Sequence, residues 1–308
     1  IVGSESGYAL TTGSYNVAIG HEALYTEDAH GKNIAIGYRA LKVQDAGADA
    51  YNIAIGYSAG VAITTGTENH IIGGLAGDAL TTGSSNIAIG YQALSTEDTG
   101  NRSVAIGQGA LQTQNNDDHN YNVAIGHHAA NALTDGQKNI IIGALAGDAH
   151  TTGDHVTFVG HEAGSANTTA SRNTGIGYQA LYTEDTNGNN TAVGAQALKT
   201  QNGGDNNVAV GHQAGYNLTT ADQCVVIGGY AGDSLTTGAD TTILGYNAGQ
   251  AISTATKNTV IGSEAGTTIT GVGNITMGYR AAYSGTLAAA YNIIIGYQAG
   301  EAKTTGDG

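Results

Sequence analysis

The chain has 308 residues, 49 of them glycine, with no proline or tryptophan and a single phenylalanine, methionine and cysteine. Only 11% of its residues are charged and its net charge is −15; the absence of a basic patch excludes binding to a nucleic-acid backbone and disfavours anionic membranes. No apolar run approaches the ~20 residues of a membrane span, and the lone Cys224 excludes an intrachain disulfide framework.

Taken in chain order, the opening Ile1-Val2-Gly3-Ser4 lacks a basic and then apolar leader, so no signal peptide is expected there. An aliphatic-glycine step begins at Gly3 and recurs at Gly20, Gly37, Gly56, Gly73, Gly90, Gly107, Gly126, Gly143, Gly160, Gly177, Gly194, Gly211, Gly228, Gly245, Gly262, Gly278 and Gly296. Thirteen of the seventeen spacings are 17 residues; two are 19, one is 16 and one is 18. Repeats of this length mark a solenoid. The reading is all-β: a parallel β-solenoid (β-roll or β-helix) of about eighteen coils, forming one repetitive segment over residues 1–308. Two or three short strands per coil are expected, and eighteen coils at the ~4.8 Å strand spacing would make a rod roughly 85 Å long.

Within each coil the positions are specialised. Alanine stands three residues after the glycine in every coil but the first, and asparagine stands four before it in thirteen. Tyrosine or histidine follows the glycine directly in eleven. Asn-Ile-Ala-Ile reads as a strand whose two aliphatics share one face, with alanine on the other. Glycine then permits a corner closed to residues with a Cβ. Asparagine at a fixed place in successive coils is expected to stack as a ladder, its amide bonding the same amide or backbone above and below.

A longer pattern lies above the coil. Thr-Glu-Asp occurs at residues 26–28, 96–98 and 183–185, and the following coil carries Gln44, Gln114 or Gln201. Ile-Gly-Gly-Leu-Ala-Gly-Asp follows at residues 72–78, with close copies ending at Asp148 and Asp233. Both 19-residue spacings fall after a Gln coil, so the loops at residues 43–51 and 113–121 should bulge, and a receptor contact is expected there first. Neither end reads as a polar cap, and a segment of a longer chain is expected.

The pattern at residues 86–94, with Thr81-Thr82-Gly83 before it, resembles the tail-fibre-type repeats of bacteriophages and phage-like bacterial proteins. The Val-Ala-Ile-Gly core at residues 17–20, 104–107 and 123–126 is similar to the head repeats of trimeric autotransporter adhesins, which form left-handed parallel β-rolls in homotrimers. The 17-residue period is longer than that of the adhesin head, and no stalk, anchor or chaperone domain is visible. The resemblance implies a homotrimer, and the small alanines are expected to allow close approach between chains.

Candidate chemistry gives way to simpler readings. The acid pairs Glu27/Asp28, Glu97/Asp98 and Glu184/Asp185 suggest a surface-polysaccharide depolymerase, but a pair repeated at one phase reads as a solvated loop rather than a catalytic dyad. His21, His127, His161 and His212 interchange with Tyr38, Tyr57, Tyr91, Tyr178, Tyr246, Tyr279 and Tyr297, which favours an amphipathic column over metal ligation. Asn115-Asn116-Asp117-Asp118 is rich in oxygen ligands but lacks the calcium β-roll nonapeptide. The hexapeptide acyltransferase pattern appears on one face only, and Thr-Thr-Gly is too interrupted for an ice-binding face. Cys224 takes an asparagine position as a buried thiol.

The reading is therefore a non-enzymatic structural and adhesive fibre segment, a shaft or head for host-surface attachment. No catalytic residue, cofactor or metal is assigned. Its partners are its own copies in a homotrimer and a host-surface glycan or protein receptor, with no nucleic acid and no membrane insertion. The location is extracellular, on a virion appendage or cell surface. The alternatives are an adhesin head of the trimeric autotransporter type and, third, a polysaccharide depolymerase.

Overall fold

The computed structural model describes residues 1–117, 119–183 and 186–301. They fall into two compact units, Ile1–His155 and Val156–Gly308. The first contains β1 (Val17–Ile19), β2 (Ile34–Ile36), β3 (Ile53–Ile55), β4 (His70–Ile72), β5 (Ile87–Ile89), β6 (Val104–Ile106), β7 (Val123–Ile125) and β8 (Ile140–Ile142). The second contains β9 (Thr157–Val159), β10 (Thr174–Ile176), β11 (Thr191–Val193), β12 (Val208–Val210), β13 (Val225–Ile227), β14 (Thr242–Leu244), β15 (Thr259–Ile261), β16 (Ile275–Met277) and β17 (Ile293–Ile295).

Within each unit successive strands pair in parallel, like residue on like. Ile87 lies opposite Val104 and Ile89 opposite Ile106 in the first unit, and Val208 opposite Val225 in the second. The irregular spacings leave this register intact. Ile34 still meets Ile53 across a 19-residue coil, and Thr259 meets Ile275 across a 16-residue one. Length differences are absorbed outside the strand, because a slip of one residue would turn the inward side chain outward.

The architecture is the expected parallel solenoid, with two corrections. Among the described residues seventeen coils carry a strand where eighteen coils were expected; the first glycine coil contributes only the bridge from Val2 to Ile19. Each coil has one three-residue strand, not two or three. Backbone bonding between coils nevertheless continues round the turn, as from Leu24 N–H to Ala40 O at 3.0 Å and from Thr26 N–H to Lys42 O at 3.1 Å. The chain stops being strand because left-handed residues interrupt it. In the coil of Gly20 these are Glu22, Leu24 and Lys32, with φ of 55°, 51° and 65°.

Besides the expected glycine row, the coils take left-handed corners at residues that carry a Cβ. Leu24, Leu41, Leu94, Leu111, Leu181 and Leu198 all take φ near +50°. A non-glycine residue there costs on the order of 1 kcal/mol. Each leucine is fully buried, which contributes roughly 1.5–3 kcal/mol and offsets that strain.

The core is the inner lumen of each coil. The middle strand residue points inward, as Ala18, Ala35, Ala54 and Ala88 do, and the alanine three past the glycine joins it. Facing them is a column of volume exchange. Where the residue four past the glycine is leucine, the one seven past it is polar: Leu24 with Glu27, Leu41 with Gln44, Leu94 with Glu97, Leu111 with Gln114. Where the former is glycine, the latter is in most coils a large aliphatic, as Gly60 with Ile63, Gly77 with Leu80 and Gly232 with Leu235, whereas Gly164 stands with Asn167. The four-coil pattern in the sequence is this exchange, since a close-packed interior must conserve volume. Phe158 makes the same point: a Cβ at Gly164 would lie 2.6 Å from its ring, and one at Gly175 3.2 Å.

Candidate interaction surface

The strand's alternation decides what faces solvent. In Val-Ala-Ile the alanine is inside and the two aliphatics point out. This reverses the expected use of the alanines: they line the lumen and are unavailable for contact between chains. The outward residues form two parallel columns in each unit. Val17, Ile19, Ile55, Ile72 and Ile140 in the first, and Ile176, Leu244, Ile275 and Met277 in the second, keep 36–43% of their surface exposed. Of the side chains on these columns only that of His70 titrates; the rest are Val, Ile, Thr, Leu or Met.

Beside the aliphatic columns runs the Tyr/His column. Rings on consecutive coils stack: His21 on Tyr38 at 5.5 Å and Tyr38 on Tyr57 at 5.2 Å. His161 stacks on Tyr178 and Tyr279 on Tyr297 in the same way. This agrees with an amphipathic column. His127 and His128 meet edge to face at 4.2 Å. One residue further round the coil, a ladder of side-chain amides climbs the surface, with Gln179 donating to Glu162, Gln196 to Gln179 and Gln213 to Gln196.

The asparagine ladder lies inside. Asn52, Asn69 and Asn86 are buried, and each Oδ1 accepts the backbone N–H of the corresponding residue in the next coil, Asn69 at 2.8 Å, Asn86 at 3.0 Å and Ser103 at 2.9 Å. Each Nδ2 donates to the carbonyl of a later glycine, Gly66, Gly83 or Gly100. Of the two partners expected, backbone is the main one; Asn292 to Asn274 at 3.0 Å is an amide-to-amide step. Cys224 keeps half of this arrangement: its N–H bonds Asn207 Oδ1 and its thiol approaches Gly238 O at 3.3 Å. Burial pushes that thiol up to about 11, so it is a poor nucleophile at neutral pH.

The two acid pairs that lie among the described residues are not solvated loops. Glu27 and Glu97 are fully buried, whereas Asp28 is exposed and Asp98 half-buried. Glu97 Oε1 accepts the N–H of Gly100 at 2.7 Å; its Oε2 accepts Gln114 Nε2 and Asn120 Nδ2, both at 2.9 Å, and Asn116 N–H at 3.4 Å. Gln114 also donates to Ser103 Oγ and accepts from Asn122. Burial raises the Glu97 carboxyl above its ordinary value, and the Gln114, Gly100 and Asn116 donors pull it back. Neither glutamate presents an oxygen to a solvent-borne sugar. Glu184 and Asp185 lie outside the described residues, as do Asp118 and the last Thr-Thr-Gly at residues 304–306. Sequence reasoning missed the inward glutamates; the signal was there in the leucine three residues earlier, because Leu-x-x-Glu replaces Gly-x-x-Leu at the same place in the coil.

The remaining candidates are engaged locally. Asp117 accepts the Thr99 hydroxyl, and Asn116 Nδ2 donates to Asp135 O. The leading threonine of Thr-Thr-Gly donates to backbone, Thr64 to Thr81 O at 3.2 Å and Thr81 to Asp98 O at 3.0 Å. In the 43–51 loop, Lys32 bonds Asp49 and the Tyr51 hydroxyl, each at 2.8 Å. No family model, curated protein or solved structure matches this chain. Among the described residues no helix is long and apolar enough to cross a membrane.

Proposed function

We propose that this chain is a structural and adhesive fibre segment, three copies of which associate through their outward aliphatic columns, on a phage tail fibre or related extracellular appendage. The observation that carries the reading is that face. Within each unit it is in register from coil to coil and almost free of ionisable groups, in a chain whose net charge is −15. Like-charged copies repel one another, so an uncharged strip is where they can meet. A contiguous exposed apolar patch of this kind marks an interaction surface.

The repetition of each side chain supports a structural role over an enzymatic one. A catalytic centre breaks a pattern, and here the glutamates that suggested one are used to fill the lumen. Three parallel copies would present each loop three times, which raises effective concentration at a host surface. The occupant of the loops would be a glycan or protein receptor on that surface.

Sedimentation equilibrium of the purified chain should give a mass near three chains, and a single-chain mass would remove the trimer. Host-surface polysaccharide should be bound and left intact. Release of oligosaccharides would replace the fibre reading with the depolymerase.

A further inference from the structure

We propose that Glu27, Asp28, His30 and Asp45 form a binding site for a divalent transition-metal ion of the Zn²⁺ class. The ligating atoms of the four side chains all lie within 4.8 Å of one another. Three come from one turn and Asp45 comes from the loop of the next coil, so an ion there would tie the 19-residue loop to the coil below it.

Two further observations point to a ligand. His30 Nδ1 is shut off from solvent, has no hydrogen-bond partner and lies 3.7 Å from Glu27 Oε1. A ring nitrogen so placed lacks the water or acceptor that normally satisfies it. The second comes from the sister coil. There Glu97 accepts side-chain amide donors from Gln114 and Asn120. At the position beside Glu27 that matches Asn120 stands Ala50, which has no side-chain donor. Glu27 is left with His30 N–H at 3.0 Å and a long contact to Gln44 Nε2 at 3.4 Å. His30 replaces Gly100 and Asp45 replaces Asn115. The sister coil thus gives its buried carboxylate two close side-chain amides, while this one keeps only the longer Gln44 contact and adds an imidazole and another carboxylate. Lys32, the nearest lysine in sequence, is committed to Asp49 and Tyr51.

One imidazole with three carboxylates favours zinc over the hard ions calcium and magnesium, which prefer oxygen alone. Asp28 and Asp45 are exposed, which gives the ion an entry path and leaves room for water to complete its shell.

The test is calorimetric titration of the metal-free full chain with Zn²⁺ alone, alongside His30→Gln and Asp45→Asn, with Ca²⁺ and Mg²⁺ as separate arms. Both substitutions lie at the surface side of the cluster, and circular dichroism checks that each variant folds. Saturable Zn²⁺ binding that weakens by about tenfold or more in both variants is the expected result. Binding unchanged in the variants would place the ion elsewhere, for instance at His127 and His128, and would overturn the proposal. So would the absence of saturable binding, or Ca²⁺ or Mg²⁺ binding as tight as Zn²⁺. The site does not depend on the fibre reading: a monomeric chain that binds zinc here, or a trimer that does not, would separate the two.

Discussion

Glu97 combines complete burial with four N–H donors, and the two effects oppose each other. Loss of solvent favours the protonated form, while the donors favour the carboxylate. Burial is the larger influence, so the folded state holds the proton more tightly than the unfolded chain, whose glutamate titrates near 4.5. The stability this contributes is complete below pH 4.5 and is lost as the pH rises through the raised folded value. The stability of the wild type relative to Glu97→Gln should therefore fall as pH rises above about 4.5, whichever protein is the more stable at the start. Urea midpoints at a series of pH values would check this; a constant difference would mean that Glu97 does not titrate in the window. In the sister coil Asp28 directly follows the buried Glu27 and has the same charge, yet it is exposed. One step along the chain separates lumen from solvent, and that step is set by coil geometry rather than by residue type.

At the scale of one coil, the glycine row is the element with least freedom. Each of these glycines has φ between 127° and 142°, a region closed to residues with a Cβ. Within each unit these glycines also lie against the glycine of the next coil, as Gly20 does against Gly37 and Gly194 against Gly211. A methyl at Gly90 would sit 2.5 Å from the Gly107 carbonyl oxygen, and backbone cannot move aside without breaking the ladder on both sides. Gly90→Ala should therefore cost at least about 3 kcal/mol, read as a lowered unfolding midpoint. A loss below 1 kcal/mol would show that the row is not packed as described. The same coil tolerates insertions elsewhere, as the two 19-residue coils demonstrate by keeping their strand register. Tight and tolerant positions therefore lie within ten residues of each other, divided by whether the backbone contacts the next coil's backbone or only solvent.

At the scale of the whole molecule, the distribution of charge matters more than its sum. The acidic excess lies away from the aliphatic columns, leaving in each unit an uncharged strip flanked by aromatic rings. If that strip joins the copies, a charge placed on it should part them without harming the coil, because the side chain points away from the lumen. Ile89→Lys is expected to keep its circular dichroism and to sediment as a single chain. Retention of the trimer mass would locate the interface on another face.

The repeat, its 17-residue period, the glycine row, the asparagine ladder and the tolerance of the loops were all legible in the residues, because a stacked coil meets its own copy at every position and must repeat what it needs. The number of strands per coil, the leucines held at left-handed corners and the direction of the strand's two faces were not. Alternation separates alanine from isoleucine but does not say which is inside. That choice belongs to the lumen, which takes a methyl where a leucine faces it and a larger aliphatic such as Ile71 or Val226 where a glycine does. The Glu27, Asp28, His30 and Asp45 cluster likewise exists only once a following coil brings Asp45 over the turn below.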